Sequence, residues 1–218
     1  RRMIGLSKIQ NGAISKAFGE SSSVSTKAVT DYAFPTINFP YTEAEVETLL
    51  ADAYDLTQGL DNSEGFNGMA EETGKTVAKI AGEGVVCNFA NRFDDGGSNK
   101  LIIADGATWE IPDNGGILQI RDVDIIVANG GTLKFTGKLQ LTGSTRLIVM
   151  EGGVVDNTTS VALSNGEYSI KVDGTGGGHT AIYNAGTIDA NYIYADQGAA
   201  LYNTETGVWK TKTTHCAG

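Results

Sequence analysis

Short apolar runs, each ended by Gly, Asn or Asp, follow one another along the chain from about residue 76 onward. Within the runs, apolar side chains recur at every second position, which is typical of β-strands with one buried face. Five segments align with one another as strand, small turn and strand: 101–111, 124–135, 146–156, 180–190 and 199–210. Further runs supply another strand between them, at 116–120, 138–142, 168–172 and 191–195. The pattern therefore predicts about three strands per repeat.

The spacing of the turns predicts how the repeats are arranged. The turn glycines are separated by 25, 22, 33 and 21 residues, and they are Gly106, Gly131, Gly153, Gly186 and Gly207. A period in this range is typical of solenoids, in which each repeat stacks on its neighbours. We therefore predict an all-β fold, a parallel β-helix whose strands pair with their equivalents one coil on. A β-sandwich is the alternative, because short strands with Gly turns also build one.

One segment near the N-terminus has a helical pattern. Thr42 followed by Glu45 forms a capping box, and the apolar side chains from Val46 to Ala53 repeat at a helical period. The sequence predicts a helix over 43–57. We expect residues 41–75, this helix and the acidic loop after it, to act as an N-terminal cap that covers the first coil.

The remaining segments complete the predicted organisation. Residues 1–40 are small, polar and aperiodic over much of their length, which is typical of an extended or flexible arm. Residues 1–30 carry five basic side chains and one acidic side chain, so this arm is also a candidate contact for a protein partner. Residues 76–218 form the β-helix. No capping pattern follows residue 210, so we expect a truncated C-terminal end or a partner that covers it.

Composition and charge exclude several classes of function. The net charge is −10 and the pI is about 4.6, which disfavours nucleic acid and anionic membranes as partners. No run of 18 apolar residues is present, so no transmembrane segment is expected. Two cysteines, Cys87 and Cys216, provide neither a disulfide framework nor a four-ligand zinc site. No complete phosphate-binding or dinucleotide-binding motif occurs, and we expect no cofactor.

Acidic side chains on neighbouring coils are the candidates for catalysis. Glycoside hydrolysis uses two carboxyl groups about 5–10 Å apart, and neighbouring coils stack about 4.8 Å apart. If the chain is a polysaccharide lyase or glycoside hydrolase, we predict Asp122, Asp124 and Glu151 as its catalytic residues. Exposed acids are expected on any acidic solenoid, however, and no long loops are predicted to frame a substrate. The sequence therefore favours a chain that is not an enzyme.

Two further groups of residues are candidates for binding. Asp94, Asp95 and Asn99 have the oxygen ligands that Ca²⁺ prefers, but they lack the order of a calcium loop, so a plain turn is favoured and no metal is expected. Five aromatic residues form either a strip that stacks on sugars or ladders that stabilise the coils. They are Tyr183, Tyr192, Tyr194, Tyr202 and Trp209.

Three short motifs carry a resemblance to a known class. Residues 130–135 (GGTLKF), 183–188 (YNAGTI) and 201–204 (LYNT) resemble coils of secreted, cell-surface right-handed parallel β-helix proteins of Bacteroidetes-type bacteria. The resemblance implies an exported protein of the cell surface with a structural or adhesive role, which binds a glycan or an envelope protein. A polysaccharide-active enzyme remains one alternative. A subunit of an envelope complex, which engages its partner through residues 1–40, is the other.

Overall fold

The structure is a computed structural model, and the described part of the chain has several gaps. The described residues are 36–61, 68–89, 93–94, 99–112, 117–157, 168–175 and 179–216. The chain divides after Thr36, and every helix and strand named below belongs to the unit Ile37–Gly218. The arm predicted over residues 1–40 lies outside the described residues as far as residue 35.

The apolar runs form strands, numbered here in chain order, that assemble into three sheets. Sheet A contains β1 (Tyr54–Asp55), β2 (Val77–Ala81), β5 (Lys100–Ala104), β8 (Asp124–Val127), β11 (Arg146–Val149), β14 (Ala181–Asn184) and β17 (Ala200–Asn203). Sheet B contains β3 (Val86–Cys87), β6 (Thr108–Ile111), β9 (Thr132–Phe135), β12 (Val154–Asn157), β15 (Thr187–Ala190) and β18 (Val208–Lys210). Sheet C contains β4 (Phe93–Asp94), β7 (Ile117–Arg121), β10 (Lys138–Thr142), β13 (Ile170–Val172), β16 (Tyr192–Ala195) and β19 (Thr213–Cys216).

The pairing of these strands confirms the parallel β-helix. Successive strands of each sheet are one coil apart in the chain, and every pair recorded among the described strands is parallel. A β-sandwich is built from antiparallel sheets, and the β-sandwich alternative is therefore wrong. The parallel register places equivalent residues of successive coils directly beside one another, as Trp109, Leu133 and Val155 are in sheet B.

The interior of the coil is a continuous apolar core. In β9, Leu133 and Phe135 are buried while Thr132 and Lys134 are partly exposed, which is the alternation that the sequence predicts. Interior side chains of all three sheets belong to one cluster of buried residues. The Trp109 indole N–H donates to the carbonyl oxygen of Phe89 over 2.8 Å, so its polar atom is satisfied.

The turn between sheets A and B shows why small residues recur there. A Cβ atom built on Gly131 would lie 2.1 Å from the carbonyl oxygen of Ile103 in the preceding coil, so glycine is required by close packing. The register pairs Thr108 with Thr132, which makes Ala107 the equivalent of Gly131. The predicted alignment of Gly106 with Gly131 is therefore wrong by one residue. Sequence similarity alone does not distinguish neighbouring small residues.

The predicted helix begins where expected and ends early. Helix α1 spans Glu43–Ala51, and the capping box is confirmed. The Glu45 carboxylate accepts from the Thr42 backbone N–H over 2.7 Å, and the Thr42 hydroxyl accepts from the Glu45 N–H over 3.3 Å. The extension to residue 57 is wrong, because β1 pairs with β2 and a 3₁₀ turn follows at Leu56–Gln58.

Helix α1 lies on the outer face of sheet A and buries a second apolar cluster. Val46 is 3% exposed and belongs to the cluster that contains the outward-facing Ile102, Ile126 and Ile148. At the start of sheet A, β1 pairs with β2. Two apolar side chains of this region join the interior core, and they are Leu56 of the 3₁₀ turn and Met69 of the short helix α2 (Met69–Thr73).

Candidate functional site

Two oppositely charged side chains meet on the outer face of sheet A. Asp124 of β8 and Arg146 of β11 are register partners in neighbouring coils. The Arg146 guanidinium donates from Nε to Asp124 Oδ1 over 2.8 Å and from Nη2 to Oδ2 over 2.6 Å. This bidentate geometry is the strong form of an ion pair, and the carboxylate is only 11% exposed. The hydrogen bond from Arg146 to Asp124 is the main cause of the raised pKa of Arg146.

Tyr41 connects this ion pair to the segment that precedes α1. Its hydroxyl donates to Asp124 Oδ2, and the Arg146 guanidinium lies 5.7 Å from the centre of its ring. Burial raises the pKa of Tyr41 first, and the hydrogen bond to Asp124 raises it further. Both carboxylate oxygens of Asp124 are thus engaged by groups of the chain itself. Asp124 therefore acts as a hydrogen-bond acceptor, and its hydrogen bond with Tyr41 attaches residue 41 to the solenoid.

A polar cleft of about 310 Å³ opens beside the Asp124–Arg146 pair. It is lined by Tyr41, Asn99, Lys100, Asp122, Asp124, Ser144, Arg146 and His179. The Asp122 carboxylate accepts from the Ser144 backbone N–H over 2.8 Å, and the Arg121 Nε atom lies 3.6 Å from its second oxygen. These contacts tie Asp122 to a turn in the next coil.

The structure brings together two of the three predicted catalytic residues. Asp122 and Asp124 line the cleft, whereas Glu151 is exposed in the turn between β11 and β12 and does not line it. General acid–base catalysis needs a carboxyl group that is free to exchange a proton with the substrate. Asp124 is paired with Arg146, and Asp122 accepts a backbone hydrogen bond. The cleft is thus better suited to binding polar groups than to proton transfer.

Two of the predicted aromatic residues form a stacked pair on the same sheet. Tyr183 of β14 and Tyr202 of β17 are register partners, with ring centres 4.7 Å apart and ring planes inclined by 22°. Phe39 meets Tyr183 edge-on at 6.1 Å. Burial, followed by the neighbouring Tyr202, raises the pKa of Tyr183. Tyr202 keeps 38% of its surface exposed, so the pair forms an accessible aromatic platform.

The other three aromatic candidates lie on different sheets. Tyr192 and Tyr194 belong to β16 of sheet C, where the Lys171 ammonium lies 5.8 Å from the centre of the Tyr194 ring. Trp209 belongs to β18 of sheet B and packs against the interior core. The five residues therefore do not share one surface, and Tyr183 with Tyr202 forms a cross-coil ladder.

The calcium candidate remains a prediction. Asp95 and the side chain of Asp94 lie outside the described residues, and Asn99 is buried with 3% exposure. Across the described ranges, no group of three or more His, Cys, Asp or Glu side chains is arranged to hold a metal ion. Burial raises the pKa of the Cys87 thiol, which is free.

No helix in the described ranges has the length and apolarity needed to cross a membrane.

Sequence reasoning missed the side chains that complete the cleft. Tyr41 comes from the segment before α1, and it is 83 residues from Asp124 in the chain. One signal does exist in the sequence. Lys100, Asp124 and Arg146 follow one another at intervals of 24 and 22 residues, which is the repeat length, and their charges alternate. Alternating charges at the repeat spacing indicate a column of ion pairs.

Comparisons with protein-family models, with curated proteins and with solved structures find no match to this chain. The fold and the outer face of sheet A are therefore the basis for any functional conclusion. Two features of that face, the polar cleft and the tyrosine pair, offer polar and aromatic groups to a ligand.

Proposed function

We propose that this chain is an exported, cell-surface β-solenoid with an adhesive role, and that the outer face of sheet A binds a glycan. The observation that carries the proposal is the stacked pair of Tyr183 and Tyr202, which lies on the same sheet face as the polar cleft. Tyrosine rings offer apolar surface to the C–H faces of a sugar and a hydroxyl to its polar edge. A neighbouring set of polar side chains suits the hydroxyl groups of the same ligand.

The rigidity of the scaffold supports a role in recognition. Tyr183 and Tyr202 are held on strands with parallel neighbours, and Phe39 packs against the edge of the pair. Side chains that are ordered before binding lose less conformational freedom when a ligand arrives. The tyrosine pair is thus preorganised for a ligand that lies along the solenoid.

The location of the protein is proposed from its motifs. Residues 130–135, 183–188 and 201–204 resemble coils of secreted β-helix proteins of bacterial surfaces. The net charge of −10 is compatible with a surface protein that does not bind nucleic acid. A structural role follows from the same scaffold, because a stack of coils holds its outer faces in a fixed arrangement.

A glycan array screened with the full chain tests this proposal. We expect binding to a subset of polysaccharides, and a loss of affinity of about fivefold for Tyr202→Ala, because one aromatic contact contributes on the order of 1 kcal/mol. Tyr192→Ala on sheet C is the matched control and should bind like the wild type. An array without any binding, or equal losses in both variants, would contradict the proposal.

A reducing-end release assay on the same polysaccharides separates adhesion from catalysis. We expect binding without release of sugar ends. Release that is abolished by Asp122→Asn or Asp124→Asn would replace the adhesive role with a polysaccharide-active enzyme. Binding to envelope proteins alone, lost when residues 1–40 are removed, would instead support a subunit of an envelope complex.

A further inference from the structure

The outer face of sheet B carries two ordered columns of side chains. The first column consists of β-branched residues, and these are Val86, Thr108, Thr132, Val154, Thr187 and Val208. The two end members are well exposed, Val86 by 55% and Val208 by 45%. β-Branched side chains at matching positions on neighbouring strands give a face suited to packing against another sheet.

The second column of the same face is charged. In coil order it consists of Glu110, Lys134, Asp156, Asp189 and Lys210. Within the chain, Lys134 lies 3.6 Å from Glu110, and their side chains remain 38% and 46% exposed. The signs therefore run negative, positive, negative, negative, positive along the solenoid.

When this order of charges is reversed, each position has the opposite sign to the original, except the position of Asp156. If a second copy faces sheet B with its coil order reversed and its β12 opposite β12, Glu110 meets Lys210 and Lys134 meets Asp189. Each of these contacts occurs twice by symmetry, and only Asp156 faces its own equivalent. If the coils face each other in the same order, all five positions oppose like charges. A shift of the reversed copy by one coil creates either two or four like-charge contacts.

We propose that the outer face of sheet B is a self-association surface, on which a second copy of this chain packs face to face with its coils in reverse order. The two-fold axis of this dimer runs parallel to the strands, because that rotation reverses the coils and leaves each column opposite itself. The β-branched column then packs on the β-branched column, with Val154 at the centre. Isologous contacts of this kind are the commonest in homo-oligomers.

The size of the face sets the expected strength. With β12 opposite β12, the five strands from β6 to β18 overlap, and at about 4.8 Å apart and at most four residues long they cover about 20 Å by about 13 Å. That area lies below the ~800 Å² per partner of a standard interface, so the dimer is expected to be weak. We expect a dissociation constant on the order of 10–100 μM. Because the charged column is at the surface, association should weaken as salt is added.

Charge exchange on the full chain tests the proposal by sedimentation equilibrium. Lys134→Asp and Asp189→Lys each turn two attractive contacts into repulsive ones, and each should weaken dimerisation by about tenfold or more. The double variant, with both substitutions, restores opposite charges across the interface and should recover most of the affinity. Circular dichroism of each variant establishes that the solenoid has folded.

Lys75→Asp is the net-charge control for Lys134→Asp, because it makes the same change in charge at a site outside sheet B that precedes β2. It should associate like the wild type. A wild-type chain that stays monomeric at about 1 mM, or a double variant no stronger than the single ones, would overturn the proposal. Equal weakening by Lys75→Asp would also overturn it, since the effect would then be one of net charge. Glycan binding at sheet A is measured separately and does not depend on these outcomes.

Discussion

At the scale of single residues, the Asp124–Arg146 pair should contribute measurably to stability. Arg146→Leu leaves the Asp124 carboxylate, which is 11% exposed, with the Tyr41 hydroxyl but without its cation. An ion that loses its partner in a partly buried site costs more than the pair itself contributes. We expect Arg146→Leu to lower the free energy of unfolding by about 2 kcal/mol, discounted for partial exposure. Urea unfolding followed by circular dichroism measures this change.

A second Arg–Asp pair in the same region provides the control. Arg121 is 56% exposed, and its Nε atom lies 3.6 Å from Asp122. Exposed pairs contribute between about 0 and 1 kcal/mol, so Arg121→Leu should have a small effect. Equal losses in the two variants would mean that the hydrogen bonds around Asp124 add nothing to a simple surface contact. In the sequence only Arg121 is adjacent to its acid, and the fold distinguishes the partly buried bidentate pair from the exposed one.

At the scale of elements, the turn between sheets A and B depends on close contact between coils. A Cβ atom at Gly131 would approach the Ile103 carbonyl oxygen to 2.1 Å, and backbone atoms cannot move aside cheaply. We expect Gly131→Ala to lower the free energy of unfolding by about 3 kcal/mol. Thermal unfolding of the variant and the wild type measures the difference.

Gly84→Ala separates the steric clash from the cost of an unusual backbone conformation. Gly84 has a φ of +70° and no atom within 4 Å of the built Cβ, so its substitution introduces strain without a clash. The expected loss is about 1 kcal/mol. If Gly131→Ala is no worse than Gly84→Ala, the coils can separate locally, and the turn is looser than its backbone contacts indicate.

Elements of this fold were predictable where the local pattern is periodic. The alternation in β9 and the capping box of α1 are local signals, and both correspond to what the structure shows. The end of α1 and the register of Gly106 were not predictable in the same way. β1 interrupts the helical pattern because it pairs with β2, and the register depends on contacts between coils that adjacent glycines do not reveal.

At the scale of the whole molecule, the candidate site is assembled from distant parts of the sequence. The cleft combines Tyr41 before α1 with Asp124, Arg146 and His179 from successive coils. The tyrosine pair is 19 residues apart in the chain and becomes adjacent only because the coils stack. Sequence analysis identified several members of this surface, but it could not show that α1 and the segment before it cover one sheet. That packing is encoded by apolar positions on the outer face, which resemble interior positions in the sequence.

The described residues form two apolar clusters, and we expect the clusters to respond differently to substitution. Leu133 is buried in the interior core between Trp109 and Val155, whereas Val46 joins α1 to the outer cluster. Leu133→Ala should destabilise the solenoid by about 2–4 kcal/mol, because each coil is supported by its neighbours. Native-state hydrogen exchange should then show faster exchange in the strands of all three sheets.

Val46→Asp places a charge beneath α1, at a position with 3% exposure. It should release α1 and leave exchange in the interior strands close to that of the wild type, because the interior core does not contain Val46. A global loss of protection in Val46→Asp, as large as in Leu133→Ala, would show that the outer cluster and the interior core unfold as one unit. In that case α1 would be an integral part of the solenoid. Its release would expose the apolar side chains of Ile102, Ile126 and Ile148 to water, and the coils would then unfold.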